Sequence, residues 1–145
     1  MLGGFRQHDG KRHTTIGGER VGLESAALAL LERLDAAVYQ KLEGLGARME
    51  QGFVAAAKKA NVEVCVQRVG SMITPFFTKG PIRSFSDAVK SDTTRFGRWH
   101  GAMLERGHYW PPSQFEAAII STAHTEADID ATVAAAAEAF AIAAA

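Results

Sequence analysis

Residues 62–78 read "VEVCVQRVGSMITPFFT", and this stretch decides between an all-helical fold and one that contains a sheet. Val62, Val64 and Val66 alternate with Glu63, Cys65 and Gln67, the period of two that buries one side of a strand. Gly70 and Ser71 supply a turn, and "MITPFFT" returns as a second strand, so the pair reads as a β-hairpin. Pro75 has no ladder donor, which predicts that the returning strand lies at a sheet edge or carries a bulge. "KGP" at 79–81 closes the hairpin.

On either side of the hairpin the period is helical. Leu23, Ala26, Ala27, Leu30, Leu31 and Leu34 form one apolar stripe, punctuated by Asp35. Val38, Leu42, Leu45, Met49 and Phe53 form a second, spaced by three and four as one helix face requires, and Asn61 ends it. Gly44, Gly46 and Gly52 each weaken that helix by up to about 1 kcal/mol relative to alanine, so they point to close packing. Downstream, Ser91 and Asp92 are N-cap candidates for a helix with Phe96, Trp99, Met103 and Leu104 as its core face and Gly107 as its C′ stop. In "YWPPSQFEAAIISTAHTEADID" (109–130) the two prolines fix extended backbone. A strand is expected at residues 117–122, and Thr125 with Asp128 reads as a capping box opening a last helix. Ile129, Val133 and Phe140 face inward there, with the alanine-rich end continuing on propensity alone. Residues 1–22 are Gly-rich and basic without a period and read as an arm, leaving residues 23–145 as one domain. The predicted fold class is α+β, a small, mostly antiparallel sheet covered by helices on one face.

The bulk numbers fit that reading. The chain has 145 residues, 47% hydrophobic and 22% charged, enough for one domain with a core. Sixteen basic residues balance sixteen acidic ones, so no global field draws in nucleic acid or an anionic membrane. No apolar run approaches the roughly 18 residues that span a bilayer. The start, "MLGGFRQHDGKRH", lacks a secretory h-region, so a cytoplasmic location is expected. The single cysteine, Cys65, reads as a small apolar filler in a reducing compartment.

The residues alone spell no complete active site. His8, His13, His100, His108 and His124 show no ligand spacing, and there is no cysteine pair, so no metal site is expected. His100, beside Trp99 on a helix, reads as a packed or half-exposed side chain. No phosphate-binding loop or nucleophile elbow is present. The feature left over is Glu116, an acidic side chain set against the apolar run 117–120, either solvated at a strand end or aimed at something.

Three stretches carry a resemblance: "YQKLEGLGARMEQGF" (39–53), "VQRVGSMITPFFTKGPI" (66–82) and "SDTTRFGRWHGAMLERGHYWPPSQFEAAIISTAHTEADID" (91–130). From about Val38 to the end, the chain resembles the C-terminal small domain of the glutamate-1-semialdehyde 2,1-aminomutases. These belong to class III of the pyridoxal-phosphate aminotransferases, which have the fold-type I architecture. The resemblance implies a large cofactor domain that these residues do not include, and a dimer with active sites between domains and subunits. It implies that the large domain carries the Schiff-base lysine. Lys11 follows a glycine, as that lysine does, but no buried strand precedes it, so no catalytic residue is assigned here. Thr15 falls where the family's threonine reaches the cofactor phosphate of the neighbouring subunit, although Glu19 and Arg20 replace the expected Asn and Pro. Glu116, with Ser113, falls in the stretch that lines the substrate, where many relatives place an arginine for an α-carboxylate. The alternatives are a non-catalytic self-association module or the small subunit of a split enzyme.

Overall fold

The computed structural model describes residues 28, 29 and 31–145. Residues 36–145 form one compact unit. Residues 28, 29 and 31, taken by themselves, are helical, and the Glu32 amide donates to the Leu28 carbonyl at 2.9 Å. The boundary expected between residues 22 and 23 lies outside the described residues.

Helix α1 spans Ala36–Lys59 and buries Leu45, Met49 and Phe53, the lower half of the predicted stripe. Its end is chemical. Asn61 adopts φ 55°, and the Asn61 and Val62 amides donate to the Lys58 and Ala57 carbonyls at 3.1 and 3.0 Å, a Schellman closure. Two of its three glycines do mark close packing. A Cβ on Gly46 would run into the Gly70 carbonyl, and one on Gly52 would meet Val133 at 2.5 Å, whereas Gly44 faces open space.

The hairpin forms, with β1 at Cys65–Val69 and β2 at Met72–Phe76. Gly70 has φ 57°, the positive value that a primed two-residue turn requires at its first central position. Pairing runs from Cys65↔Phe76 to Val69↔Met72. Arg68 and Ile73 therefore share the face toward α1, while Val69 and Met72 share the opposite one. Arg68 interrupts the valine alternation because its guanidinium is ion-paired beneath the sheet, 2.7 Å from both Glu43 and Glu50 of α1, and it donates to the Gly70 carbonyl at 2.9 Å. These bonds, first that to Glu43 and then that to Glu50, hold its pKa above the ordinary arginine range.

A short helix, α2 (Phe85–Ala88), precedes α3 (Thr93–Glu105). The Asp92 side chain caps α3 by accepting from the Arg95 amide at 2.9 Å. Gly107 (φ 79°) ends it with a second Schellman closure, His108 N to Met103 O at 3.0 Å. Phe96, Trp99 and Met103 are buried as expected, but Leu104 is 44% exposed, one position off the stripe. Strand β3 is only Ala118–Ile119, shorter than the expected 117–122, and pairs antiparallel with β2 through Met72↔Ile119 and Ile73↔Ala118.

The sheet order is β1-β2-β3, so β2 is central and the expectation of an edge strand or bulge at Pro75 is corrected. Pro75 is tolerated because β3 ends before reaching it, and its donor-less nitrogen faces no partner strand. Helix α4 (Glu126–Ala144) opens with the predicted capping box. Its alanine-rich end is held by packing, not by propensity alone: Ala135, Ala136, Ala139 and Ala143 are all buried, and their small side chains admit α1 and α3 at close range. Between the helices and the sheet, Phe53, Trp99 and Phe140 stack edge-on and face-on at centroid separations of 5.6–6.0 Å. The result is the α+β arrangement expected, three antiparallel strands with helices packed on one face.

Candidate functional site

Residues 113–116, "SQFE", follow the two prolines and form a self-closing turn. The Ser113 hydroxyl accepts from the Phe115 amide at 3.2 Å, and the Glu116 amide donates to the Ser113 carbonyl at 3.2 Å. The Glu116 carboxylate reaches back and accepts from the Ser113 amide at 3.3 Å. This is capping-box chemistry, Ser-x-x-Glu, used to close a turn where no helix follows. Ser113 and Glu116 are thus brought together, with Ser113 half-buried and Glu116 exposed. Glu116 stands two residues before β3, not at the mouth of a six-residue strand.

What fixes the turn is a residue the sequence reading missed. Gln114 is 2% exposed, and its carboxamide donates to the Pro75 carbonyl at 2.9 Å while accepting from the Phe77 amide at 3.2 Å. A side chain thereby does the work of a strand partner where Pro75 cannot pair. Thr74 adds a bond from its hydroxyl to the Glu116 carbonyl at 3.1 Å. The available signal was a proline inside an apolar strand, which leaves carbonyls and neighbouring amides for a polar side chain to satisfy. Phe115, between Gln114 and Glu116, turns outward onto Phe85 at 5.7 Å.

A cleft of about 300 Å³ lies apart from this turn, lined by His108, Tyr109, Ile119, His124, Asp128 and Thr132 among others. Its polar groups serve the fold. His108 Nδ1 lies 3.2 Å from the Thr132 hydroxyl, and His124 Nδ1 accepts from the Ser121 amide at 3.0 Å. Asp128 accepts from the Thr125 amide and hydroxyl, bonds that hold its carboxyl below the usual range. His100 is half-buried, stacked on Phe96, with Nε2 2.9 Å from the Trp110 carbonyl. Cys65 is half-buried against Gly80. Among the described residues no group of three or more His, Cys, Asp or Glu side chains could hold a metal ion, and no helix is long and apolar enough to cross a membrane.

The described residues do not suit a covalently held aldehyde cofactor. Lys41, Lys58, Lys59, Lys79 and Lys90 are all exposed, and Lys41 is bonded to the Thr122 carbonyl at 2.7 Å. An imine-forming lysine needs an enclosed, desolvated position to be activated. Lys11 and Thr15 lie outside the described residues.

No protein-family model matches the chain. Individual proteins do. A glutamate-1-semialdehyde 2,1-aminomutase of Sorangium cellulosum is 61% identical over 117 residues, 81% of this chain and 27% of that protein. The aminomutase of Anaeromyxobacter dehalogenans is 50% identical over 130 residues, 90% of this chain and 30% of that protein. The chain is a homologue of the C-terminal region of the glutamate-1-semialdehyde 2,1-aminomutases. It spans less than a third of the length of these curated relatives. Solved structures agree on the fold. An omega-transaminase from Sphaerobacter thermophilus superimposes with a TM-score of 0.74 at 27% identity, over 81% of this chain and 27% of that one. A glutamate-1-semialdehyde-aminomutase from Pseudomonas aeruginosa in complex with PMP gives 0.72 at 19% identity, over 94% of this chain and 31% of that one. Members of the aminomutase family are pyridoxal-phosphate enzymes, so the intact members supply the cofactor site that the residues described here lack.

Proposed function

We propose that these residues act as the substrate-facing small domain of a glutamate-1-semialdehyde 2,1-aminomutase, which moves an amino group within glutamate 1-semialdehyde to give 5-aminolevulinate. The observation that carries the reading is the 61% identity to an aminomutase over 117 residues. In this proposal pyridoxal phosphate is held by polypeptide outside residues 36–145, and the chain's own part is recognition. Glu116 presents a carboxylate at the surface of a rigid turn. An ordinary amino acid would bring its α-carboxylate there and be repelled, whereas glutamate semialdehyde brings an uncharged aldehyde and is admitted. An arginine at the same place would do the reverse, gripping the carboxylate bidentately. Ser113 supports Glu116 through its amide and lies beside the same substrate path. Thr15 contacts the cofactor phosphate of a neighbouring subunit in a homodimer, and the enzyme is cytoplasmic.

The test joins this chain to the upstream part of the Sorangium cellulosum aminomutase and measures 5-aminolevulinate formation. The fusion is expected to be active, and the chain alone inactive with added pyridoxal phosphate. Glu116→Gln in the fusion is expected to lower its preference for the semialdehyde over α-amino acids by roughly tenfold or more, because a like-charge clash is removed. An active fusion whose preference is unchanged by Glu116→Gln defeats the role given to that residue.

A further inference from the structure

The turn at residues 113–116 is tied down more firmly than a connection requires. It lies between two prolines and a strand that begins at Ala118, so neither helix nor ladder holds it. Among the described residues three polar side chains are buried, Thr74, Ser91 and Gln114, and two of the three serve this turn. Gln114 joins it to β2 through the Pro75 carbonyl and the Phe77 amide. Thr74, 7% exposed, donates to the carbonyl of Glu116 itself. On the outer side Phe115 rests on Phe85 of α2. A surface connection ordinarily leaves its backbone groups to water, and burying a polar side chain is unfavourable unless its bonds are met. Here buried bonds converge on four residues whose one charged side chain, that of Glu116, stays exposed.

We infer that Gln114 and Thr74 are positioning residues for substrate choice: they fix the place at which Glu116 presents its carboxylate. Both are buried, so they act through Glu116 and not on the substrate. The inference rests on the role proposed for Glu116 and adds the residues by which that role is kept. Repulsion between like charges weakens with distance, and a recognition group works only when held within roughly 0.5 Å of its place. A turn free to wander would admit both kinds of substrate.

The test has two readings. In the chain alone, hydrogen exchange of the Phe115 and Glu116 amides is followed by NMR. Gln114→Leu and Thr74→Val should each speed it by at least about tenfold, since a bond that closes the turn is gone. Gly46→Ala, which strains the packing of α1 on Gly70, should leave these amides as they are. In the fusion with the upstream part of the Sorangium cellulosum aminomutase, the ratio of kcat/KM for glutamate 1-semialdehyde to that for glutamate is measured. Gln114→Leu should lower it by roughly tenfold, largely through a lower KM for glutamate, and adding Gln114→Leu to Glu116→Gln should lower it no further, because the two act along one path. Gly46→Ala should not move the ratio. Exchange at the turn that Gln114→Leu leaves unchanged, or that Gly46→Ala raises equally, overturns the inference. Should Gln114→Leu fail to fold, Thr74→Val carries both readings with the same outcomes. A ratio that responds to Glu116→Gln but not to a loosened turn keeps the role of Glu116 and overturns the inference. A loosened turn in a fusion that makes no 5-aminolevulinate defeats the proposed function and leaves Gln114 and Thr74 as the anchors of the turn.

Discussion

Replacing Gln114 by leucine keeps the bulk of a buried side chain and removes both of its backbone bonds. The Phe77 amide then loses its acceptor in a place where Phe77 is 3% exposed, and the Pro75 carbonyl loses its donor. An orphaned buried amide costs about 1–3 kcal/mol and the second bond about 1 more, so a loss of about 2–4 kcal/mol is expected. At about 4 °C per kcal/mol for a domain of this size, the melting temperature should fall by roughly 8–16 °C. The assay is urea and thermal unfolding of Gln114→Leu beside Gln114→Ala, which adds the loss of packing. Gln114→Glu separates the two bonds further. Its ionised carboxylate can accept from Phe77 but cannot donate to Pro75, and burial raises its pKa in the folded state. A raised folded pKa contributes stability that is present below the unfolded value and lost as pH rises through the folded one, so this variant should be more stable at pH 4 than at pH 7, relative to the parent. A Gln114→Leu protein that melts within about 2 °C of the parent would refute the claim that a side-chain amide completes the sheet.

Gly44→Ala should raise stability by up to about 1 kcal/mol through helix propensity, since nothing stands within 4 Å of the new methyl, whereas Gly46→Ala should lower it by about 1–3 kcal/mol against the Gly70 carbonyl; paired melts decide. Truncating Arg68, whose side chain is 14% exposed, should lower the urea midpoint more than truncating Arg48, which is 45% exposed in its pair with Asp130. Asp130, Asp128, Asp87 and Glu43 all have pKa values held below their ordinary ones, by Arg48, the Thr125 amide, the Arg83 amide and Arg68 respectively. Depressed carboxyls contribute stability above the unfolded pKa that is lost as pH falls through the folded one, so urea midpoints should be level from pH 5 to 7 and fall below about pH 4.

What could be read from the sequence was what is decided locally. The α1 stripe, the Gly70 turn, the Asp92 cap, the Gly107 stop and the Thr125–Asp128 box each depend on residues within a few positions of one another, and each formed. The misses share another cause. Pro75 argued for an edge because strands were assumed to be completed by strands, and Gln114, far along the chain, completes this one. The alanine-rich end of α4 read as continuing on propensity alone because a small side chain does not announce that a neighbouring helix approaches it. Arg68 broke the alternation of β1 because its partners, Glu43 and Glu50, sit on another element. The turn at residues 113–116 was singled out through resemblance, while the bonds that give it shape follow from the Ser-x-x-Glu spacing and could have been derived from it.

Thr74 ties the 113–116 turn to the sheet: it is buried on β2, and its hydroxyl donates to the Glu116 carbonyl. Nothing in the turn has to be built when a ligand arrives, because Gln114, Ser113 and Thr74 already find their bonds within residues 74–116. A preformed wall limits the ordering cost of binding at that turn. Weakening Gln114 or Thr74 should then loosen the turn that presents Glu116.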